Sequence, residues 1–228
     1  MTTAYAMLAN GGKQVKATLI DRIQDRWGRT VWRHDPRACS GCKADEWTGQ
    51  DEPEIIDNRR QIIDPHTAYQ ITSIMEGVVQ RGTATSLKAL GRPIAGKTGT
   101  TNEEKDAWFV GYTPDLVVGV FVGFDTPRPM GKGQTGGQIA APIFGNFLKM
   151  ALAETPATPF RIPPGIKLVR VNVKTGLRAQ GIEGEQTIME AFKPNEEPDD
   201  AYSVIGFSDP GIQGIGGGPQ AGPANSFD

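Results

Sequence analysis

One lysine of this 228-residue chain, Lys97, belongs to two overlapping motifs that would carry out different chemistry. Residues 91–98 fit the pattern G-x-x-x-x-G-K-[ST] of a phosphate-binding loop. Residues 97–101, which read KTGTT, fit a different motif, K-T-G, in which a lysine is followed by threonine hydroxyl groups at alternate positions of a predicted strand. Both motifs use the same lysine, so the elements around it decide between them.

The phosphate-loop interpretation fits the surrounding sequence poorly. Such a loop needs a buried strand before it and a helix after it, whose first amides face the phosphates. Arg92 and Pro93 interrupt any buried strand, and residues 99–106 contain no apolar side chain for a helix to bury. Asp125, after the apolar run 116–124, imitates a magnesium-binding aspartate, but a second strand takes the place of the helical crossover that a parallel sheet needs. A P-loop nucleotide hydrolase is therefore the disfavoured alternative.

The K-T-G interpretation agrees with a predicted antiparallel sheet. Residues 92–101 read as an extended edge strand, and residues 106–114 as its antiparallel partner. After the turn at TPD, residues 116–124 read as a third strand that is apolar on both faces, which is typical of a sheet covered by helices on each side. The sequence therefore predicts that Lys97 lies on a strand.

The clearest predicted helix precedes this sheet. Asp64 can cap its N terminus, Pro65 suits its first position, and Gly82 ends it. Its apolar residues recur at the i, i+3, i+4 spacing of a buried face. These residues are Ile71, Ile74, Met75, Val78 and Val79.

Two more helices and a hairpin complete the prediction. Residues 1–12 read as a short helix that Gly11 ends, and residues 13–35 as two strands around the turn QDRWG. Residues 138–154 read as a third helix. The predicted buried faces consist of Ala4, Met7 and Leu8 in the first helix and of Ile143, Phe144, Phe147, Leu148 and Ala151 in the third.

This order of elements resembles the transpeptidase domain of class A penicillin-binding proteins, the bifunctional peptidoglycan synthases, and within them the 1A type. K-T-G is a signature of penicillin-recognising enzymes. The resemblance implies an α+β fold, an antiparallel sheet covered by helices as in β-lactamase-like folds, which is incomplete on its N-terminal side. The stretches that carry it are TTAYAMLANGG, TAYQITSIMEGVVQRGTA, GKTGTTNEEKDAWFVGYTPDLVVGVFVGFD, GGQIAAPIFGNF and FRIPPGIKLVRVNVKTG.

The resemblance also implies a substrate and a site. The substrate would be a peptidoglycan stem peptide ending in D-Ala-D-Ala, and β-lactam antibiotics would bind in its place. Lys97, Thr98, Gly99, Thr100 and Thr101 would form the substrate-binding strand, with Gly99 leaving room for the substrate backbone. The backbone N–H of Thr100 would donate to the oxyanion, a contribution of roughly 3 to 4 kcal/mol in the transition state.

Two catalytic motifs of the family are not matched. S-x-N does not occur in the 228 residues, and S-x-x-K occurs once, from Ser40 to Lys43, in a polar loop that does not suit a catalytic helix. We expect both true motifs to lie before Met1, together with a glycosyltransferase domain and a membrane anchor. The chain is thus predicted to be a C-terminal fragment that is inactive alone, with a non-catalytic wall-peptide-binding or scaffold module as the alternative.

The two cysteines, Cys39 and Cys42, leave four interpretations open: a redox pair, half of a zinc site, a local disulfide or two free thiols. A zinc site needs two more ligands, and the chain has only His34 and His66 besides these cysteines. A disulfide that closes a loop is favoured, and it would indicate an oxidising compartment, in agreement with a periplasmic location.

Composition and charge narrow the remaining possibilities. A net charge of −2, with both signs interspersed, gives no electrostatic basis for contact with nucleic acid or a membrane, and no cofactor or metal is predicted. The predicted organisation is a transpeptidase part at 1–155 with a loop or insertion at 35–60, and a strand-containing extension at 156–193. The Gly/Pro-rich tail at 194–228 is predicted to be disordered.

Overall fold

The computed structural model describes residues 1–35, 37, 39, 40, 42, 46, 48, 49, 53–181 and 183–198. Most of the predicted tail therefore lies outside the described residues. The chain divides into two compact units, one formed by Met1–Val169 with Glu190–Glu197 and one that includes Arg170–Met189. No helix among the described residues is long and apolar enough to cross a membrane.

The regular elements follow one another in an α+β order. The helices are α1 (Thr2–Ala9), α2 (Pro65–Arg81) and α3 (Ala141–Ala151). The strands are β1 (Arg22–Gln24), β2 (Thr30–Arg33), β3 (Cys39–Ser40), β4 (Glu54–Ile55), β5 (Ala95–Thr100), β6 (Asp106–Tyr112), β7 (Val117–Gly123), β8 (Lys167–Asn172) and β9 (Thr187–Phe192). Short 3-10 helices span Thr85–Leu90 and Asn102–Glu104, and a π-helical turn, Gly136–Ala140, leads into α3.

The central element of the first unit is an antiparallel sheet in the order β5-β6-β7. Thr98 lies opposite Phe109, and Phe109 lies opposite Val120. Since β6 follows β5 through a tight connection and β7 follows β6 through the turn at Thr113, each pair is local in sequence. The three predicted strands are confirmed, and β5 is an edge strand of this sheet.

Apolar clusters pack on both faces of the sheet. On one face, Phe109 contacts Phe144 edge to face, with ring centroids 4.8 Å apart. On the other face, Tyr112 meets Phe160 at 5.5 Å and Tyr5 at 6.4 Å, also edge to face. The cover on this second face is partial, because Phe121 on β7 is 50% exposed. The expectation that β7 is covered on both sides is therefore only partly correct.

Helix α2 begins and ends where the sequence predicts. The carboxylate of Asp64 accepts a hydrogen bond from the Thr67 N–H at 3.0 Å, Pro65 occupies the first turn, and Gly82 is the C-terminal cap. The predicted buried face is wrong in one position, since Ile74 is 61% exposed. The helix instead buries small residues against the sheet, and its buried residues are Ala68, Thr72, Met75, Gly77 and Val79.

The predicted faces of α1 and α3 also differ from the observed ones. In α3, Ile143 and Phe147 are exposed, and the buried residues are Ala141, Phe144, Gly145 and Leu148. The cause lies at Gly145, where a Cβ atom would come within 2.9 Å of the Leu87 side chain. This close approach rotates the buried face of α3 towards its small residues. In α1, the residues that pack against the core are Tyr5, Leu8 and Ala9.

Residues 13–62, which we call the hairpin region, carry two short antiparallel pairs, β1-β2 and β3-β4. The predicted hairpin is confirmed, with strands shorter than expected. Many of its large apolar side chains face solvent, among them Leu19, Trp27 and Val31. The sulfur atoms of Cys39 and Cys42 form a disulfide in the structure, with Cα atoms 5.6 Å apart. That these two cysteines are oxidised in the protein stays a prediction, which a comparison of the intact mass before and after reduction would test.

A network of ion pairs joins the two ends of the hairpin region, and a hydrogen bond from this network reaches the end of α1. Arg59 binds both oxygens of Asp57, at 2.8 and 2.7 Å, and donates to the Asn10 side chain at 3.1 Å. Lys13 adds a third cationic contact to Asp57 at 2.9 Å. The hydrogen bonds from Arg59 and Lys13 hold the pKa of Asp57 well below its usual range. Polar contacts thus hold this region in place, whereas apolar packing holds the elements of the central sheet.

The second unit contains the repeated K-T-G sequence in a turn. The side chain of Asn172 accepts hydrogen bonds from the N–H groups of Lys174 and Thr175, and Gly176 has a φ of +70°. This copy of K-T-G therefore lies in a turn and not on a strand. Strand β9, which pairs with β8, was not predicted from the sequence.

Candidate functional site

The candidate site is built along the open edge of β5. In an antiparallel pair, residues alternate between positions that bond the partner strand and positions whose N–H and C=O point away from it. The Thr101 N–H donates to the Asp106 carbonyl at 3.0 Å, and the register pairs Thr100 with Ala107. Thr101 therefore faces β6, and the amides of Thr100 and Thr98 point away from β6. The N–H assigned to the oxyanion by resemblance is directed to the open edge.

Lys97 lies on the opposite face of the strand from Thr98 and Thr100. Its side chain is exposed, and its ammonium group donates to the carbonyl oxygen of Thr98 at 2.8 Å. Since that carbonyl points away from β6, the ammonium charge sits at the same open edge as the two amides. The strand thus presents a cation and two N–H donors along one line.

The hydroxyl group of Thr98 contacts a residue outside the K-T-G motif. Its Oγ1 lies 2.7 Å from Oγ1 of Thr83, the residue that follows the cap of α2. A Cβ atom on Gly137 would lie 3.8 Å from the Thr98 methyl carbon. Both substituents on the Thr98 Cβ therefore have defined neighbours.

The hydroxyl group of Thr100 is held from the other side. Its oxygen accepts a hydrogen bond from the Gly136 N–H at 3.1 Å. Because a hydroxyl has one hydrogen to donate, this contact leaves the Thr100 hydrogen available for another acceptor. The predicted placement of both hydroxyls on one face of the strand is observed.

Glycines make the close packing around β5 possible. A Cβ atom on Gly136 would lie 2.3 Å from the Trp108 carbonyl oxygen and 2.6 Å from that of Gly99. One on Gly137 would lie 2.3 Å from the Thr83 carbonyl oxygen. The loop before α3 can therefore rest directly on β5 and β6. We refer to Thr83, Thr98, Thr100, Gly136 and Gly137 as the hydroxyl cradle.

Gly99 and Thr101 have structural neighbours as well as proposed roles. A Cβ atom on Gly99 would lie 3.3 Å from the Trp108 Cβ, a tight but not impossible contact. The Thr101 hydroxyl accepts from the Asp106 N–H at 2.8 Å, which closes the connection to β6. Trp108 packs against Phe121 with ring centroids 4.7 Å apart, as expected for a packing residue.

Sequence reasoning did not assign Thr83, Gly136 or Gly137 to the site. The available signal was weak: a Gly-Gly pair before a predicted helix, and a threonine just after a helix cap. Neither pattern reveals which strand it will contact, because that contact is set by the packing of α2 and α3 around the sheet.

The structure does not support the phosphate-loop interpretation. Lys97 and Thr98 lie inside β5, and that strand pairs antiparallel with β6. No helix begins at Thr98, so no set of helix N-terminal amides faces the lysine. The geometry of the S-x-x-K match cannot be described in the same way, because Lys43 lies outside the described residues.

One buried tyrosine connects α2 to the sheet. Tyr112 is fully buried, and its hydroxyl lies 2.7 Å from that of Thr72. Thr72 donates its own hydrogen to the Ala68 carbonyl at 2.9 Å, so Tyr112 is the donor in the pair. Burial raises the pKa of Tyr112 to about 12. Burial also raises the pKa of Glu76, which lies on α2.

Among the described residues, no group of three or more His, Cys, Asp or Glu side chains could hold a metal ion.

Comparison with known proteins agrees with this geometry. The family model described as the penicillin binding protein transpeptidase domain matches residues 1–149. The chain belongs to this family. The resemblance inferred from the sequence is confirmed, as is the fold class.

Individual relatives of this family point to the 1A type. The chain is 42% identical over 200 residues to penicillin-binding protein 1A of Rickettsia bellii, and 43% identical over 164 residues to that of Neisseria lactamica. These alignments cover 86% and 72% of this chain, but 24% and 18% of the relatives. The chain therefore spans about a quarter or less of these curated relatives.

A solved structure gives the same assignment. The crystal structure of penicillin-binding protein 1A from Haemophilus influenzae matches with a TM-score of 0.70 and 30% sequence identity. The match covers 88% of this chain and 32% of that one. Residues 1–149 thus correspond to part of a transpeptidase domain, and the relatives of this chain are of the penicillin-binding protein 1A type.

Proposed function

We propose that residues 97–101 form the carboxylate-binding strand of a peptidoglycan D,D-transpeptidase, a cell-wall cross-linking enzyme. The substrate is a stem peptide ending in D-Ala-D-Ala, and β-lactam antibiotics occupy the same place. The serine that is acylated and the group that takes its proton come from a part of a longer protein beyond these 228 residues. The family membership and the partial coverage of the relatives support this division.

The arrangement at the edge of β5 is the observation that carries the proposal. A carboxylate needs positive charge and hydrogen-bond donors. Lys97 brings an ammonium group to the open edge from one face of the strand, and the hydroxyls of Thr98 and Thr100 lie together on the other face. An extended peptide can align with an unpaired strand edge and bond its outward amides.

The backbone N–H of Thr100 is proposed as a donor to the oxyanion formed during acyl transfer. Its outward direction in the β5-β6 register supports this role, since a donor that bonded β6 would not be available. A backbone donor fixed in a strand costs no reorganisation when the negative charge develops.

A periplasmic location of this part of the protein is also proposed. The disulfide between Cys39 and Cys42 in the structure supports it, because disulfides persist in oxidising compartments. The full-length protein is proposed to be anchored in the inner membrane by a segment outside these residues.

A second candidate function is a wall-peptide-binding or scaffold module without catalysis. One observation favours it: S-x-N does not occur in the 228 residues, and the only S-x-x-K begins at Ser40, in the short strand β3 and not on a helix. The two candidates differ in whether the full-length protein forms a covalent adduct with a β-lactam.

The test compares Lys97→Ala with Lys149→Ala in the full-length protein that contains this segment. Lys149 lies in the last turn of α3, away from β5, and serves as a control for loss of one positive charge. Lys97→Ala should slow acylation by a labelled penicillin by roughly 10- to 100-fold, the value of a hydrogen bond to a charged group, with an unchanged melting temperature. An unchanged acylation rate would refute the site assignment.

The same measurement on the 228-residue chain alone tests the division of the active site. A serine without a nearby base is not activated, so intact mass should show no adduct after incubation with penicillin. A one-to-one adduct at Ser40 would show that this serine is the nucleophile. Absence of any adduct on the full-length protein would favour the binding module.

A further inference from the structure

The end of α2 supplies a hydroxyl group that touches the candidate site without belonging to the K-T-G motif. Oγ1 of Thr83 lies 2.7 Å from Oγ1 of Thr98, and Thr83 is itself exposed. The hydroxyl pair is therefore accessible to a ligand that lies along β5. No part of the proposed function accounts for this contact.

We propose that Thr83 is a positioning residue, which orients the Thr98 hydroxyl so that its hydrogen points to the carboxylate of the ligand. This inference rests on the proposed function of Thr98 and adds a residue to that site. Thr83 does not contact the ligand in this proposal. It acts through Thr98.

The argument starts from the hydrogens of the two hydroxyl groups. Each group can donate one hydrogen and accept others, and one hydrogen occupies the bond between them. When Thr83 donates to Thr98, the Thr98 hydrogen is free for an outside acceptor. An anion at the open edge favours this order, since the other order would direct the Thr98 hydrogen to Thr83. Hydroxyls bonded in series also polarise one another, which strengthens the final bond to the anion.

The side chain of Thr98 has little freedom to choose another orientation. A β-branched residue in a strand has restricted χ1 rotation. The methyl group of Thr98 faces Gly137, where a Cβ would lie 3.8 Å away, and its hydroxyl faces Thr83. Rotation about χ1 would exchange these neighbours and break the hydroxyl pair.

The backbone on both sides of Thr83 is fixed by packing. Gly82 precedes it in a crowded position, where a Cβ would lie 2.9 Å from the Val78 Cα. Ala84 follows it, is fully buried, and donates its N–H to the Val78 carbonyl at 3.1 Å. The Thr83 carbonyl is packed against Gly137. The hydroxyl of Thr83 is thus carried by a rigid segment, which is what a positioning role requires.

The experiment measures acylation of the full-length protein by benzylpenicillin and by its methyl ester, which lacks the carboxylate charge. Thr83→Val keeps the shape of the side chain and removes its hydroxyl, whereas Thr83→Ser keeps the hydroxyl. Thr83→Val should slow acylation by benzylpenicillin by about five- to tenfold, as expected for one weakened hydrogen bond to a charged group. The rate with the methyl ester should stay within about twofold of wild type, and Thr83→Ser should behave as wild type with both compounds.

The other possible outcomes contradict either the role of Thr83 alone or the proposed function as well. Equal slowing with both compounds, or slowing by Thr83→Ser as well, would show a structural role and overturn the inference. If Thr98→Val and Lys97→Ala slow benzylpenicillin selectively but Thr83→Val does not, the inference fails and the proposed function stands. If none of the three variants distinguishes benzylpenicillin from its ester, or the full-length protein is not acylated, the proposed function fails and the inference fails with it.

Discussion

The hydroxyl cradle and the hairpin region belong to the same compact unit but are held together by different forces. Around the cradle, buried aromatic rings and glycines without room for a Cβ fix the positions of β5, α2 and α3. In the hairpin region, large apolar side chains such as Trp27 and Val31 face solvent, and ion pairs around Asp57 provide the anchoring. The part of the chain that we propose to present donors to a ligand is thus the part held by buried apolar packing.

The largest expected difference between the two regions concerns a buried and an exposed aromatic ring. Phe109→Ala removes a fully buried ring and should lower the free energy of unfolding by about 3 to 5 kcal/mol. Trp27→Ala removes a ring that is 69% exposed and stacks with the Arg26 guanidinium, so it should cost about 0.5 kcal/mol. Urea unfolding of the 228-residue chain followed by circular dichroism measures both. Similar losses would contradict the distinction between the regions.

Next in size is the effect of adding one methyl group at a glycine. Gly136→Ala places a Cβ against carbonyl oxygens of both β5 and β6, and should cost about 3 kcal/mol, the upper range for overpacking. Gly91→Ala is the matched control: its surroundings are open, but its φ of +64° disfavours alanine, so about 1 kcal/mol is expected. Gly136→Ala should also slow acylation of the full-length protein, whereas Gly91→Ala should not. If the two variants unfold with equal midpoints, the close packing at Gly136 is not present in solution.

A third prediction concerns the free energy of unfolding at alkaline pH, which depends on the ionisation of Tyr112 in the central sheet. The pKa of Tyr112 is raised to about 12 in the folded chain, above its ordinary value of 10.0. The unfolded chain therefore loses this proton first as the pH rises, so the stabilisation is complete below pH 10 and is lost as the pH rises towards 12. The loss should be roughly 2 to 3 kcal/mol.

The variant Tyr112→Phe separates this titration from others. It should be less stable at neutral pH by about 1 kcal/mol, because the hydrogen bond to Thr72 is lost. Between pH 10 and 12 its free energy of unfolding should fall less steeply than that of the wild type. A decline of equal steepness would assign the alkaline transition to another group.

The smallest effect is expected in the hairpin region at Asp57. Asp57→Asn weakens the contacts with Arg59 and Lys13 and should cost about 1 kcal/mol or less, as is usual for partly exposed ion pairs. The loss should shrink at high salt. Because the pKa of Asp57 is held below its ordinary 3.8, its contribution is present above that pH and is lost as the solution becomes more acidic. Asp125→Asn, an exposed carboxylate outside this network, is the control and should change neither the salt nor the acid dependence.

The sequence predicted well what depends on local rules. The caps of α2 at Asp64 and Gly82 follow from backbone hydrogen bonding within one turn, and the three central strands follow from short runs between turn residues. It predicted the faces of helices less well. Ile74 and Ile143 fit a helical period yet are exposed, because closeness of approach at small residues, and not apolar period alone, decided which face was buried.

In the candidate site, too, some residues could be identified from local sequence and others depend on tertiary packing. Residues 97–101 could be selected from the sequence through the K-T-G motif and the family resemblance, because a lysine and strand threonines on their own are equally typical of a surface lysine and ordinary strand propensity. Thr83 and Gly136 could not, because they come from segments 15 and 36 residues away from Thr98 and Thr100, and they meet β5 only through the tertiary packing of two helices. The domain boundaries at 155 and 193 stay predictions. The compact units divide the chain near 169 and 190 instead.

The outward N–H groups of Thr98 and Thr100 also set a length for whatever binds beside them. Alternate residues of an extended strand are about 6.7 Å apart. A compound that accepts hydrogen bonds from both groups must carry two oxygen atoms at about this separation, on one side of a scaffold flat enough to lie against β5. For inhibitor design, this gives a two-point template fixed by the backbone. A substitution of either threonine side chain leaves both N–H groups in place, so a compound that relies on them should retain its contacts where one that relies on the hydroxyls would lose them.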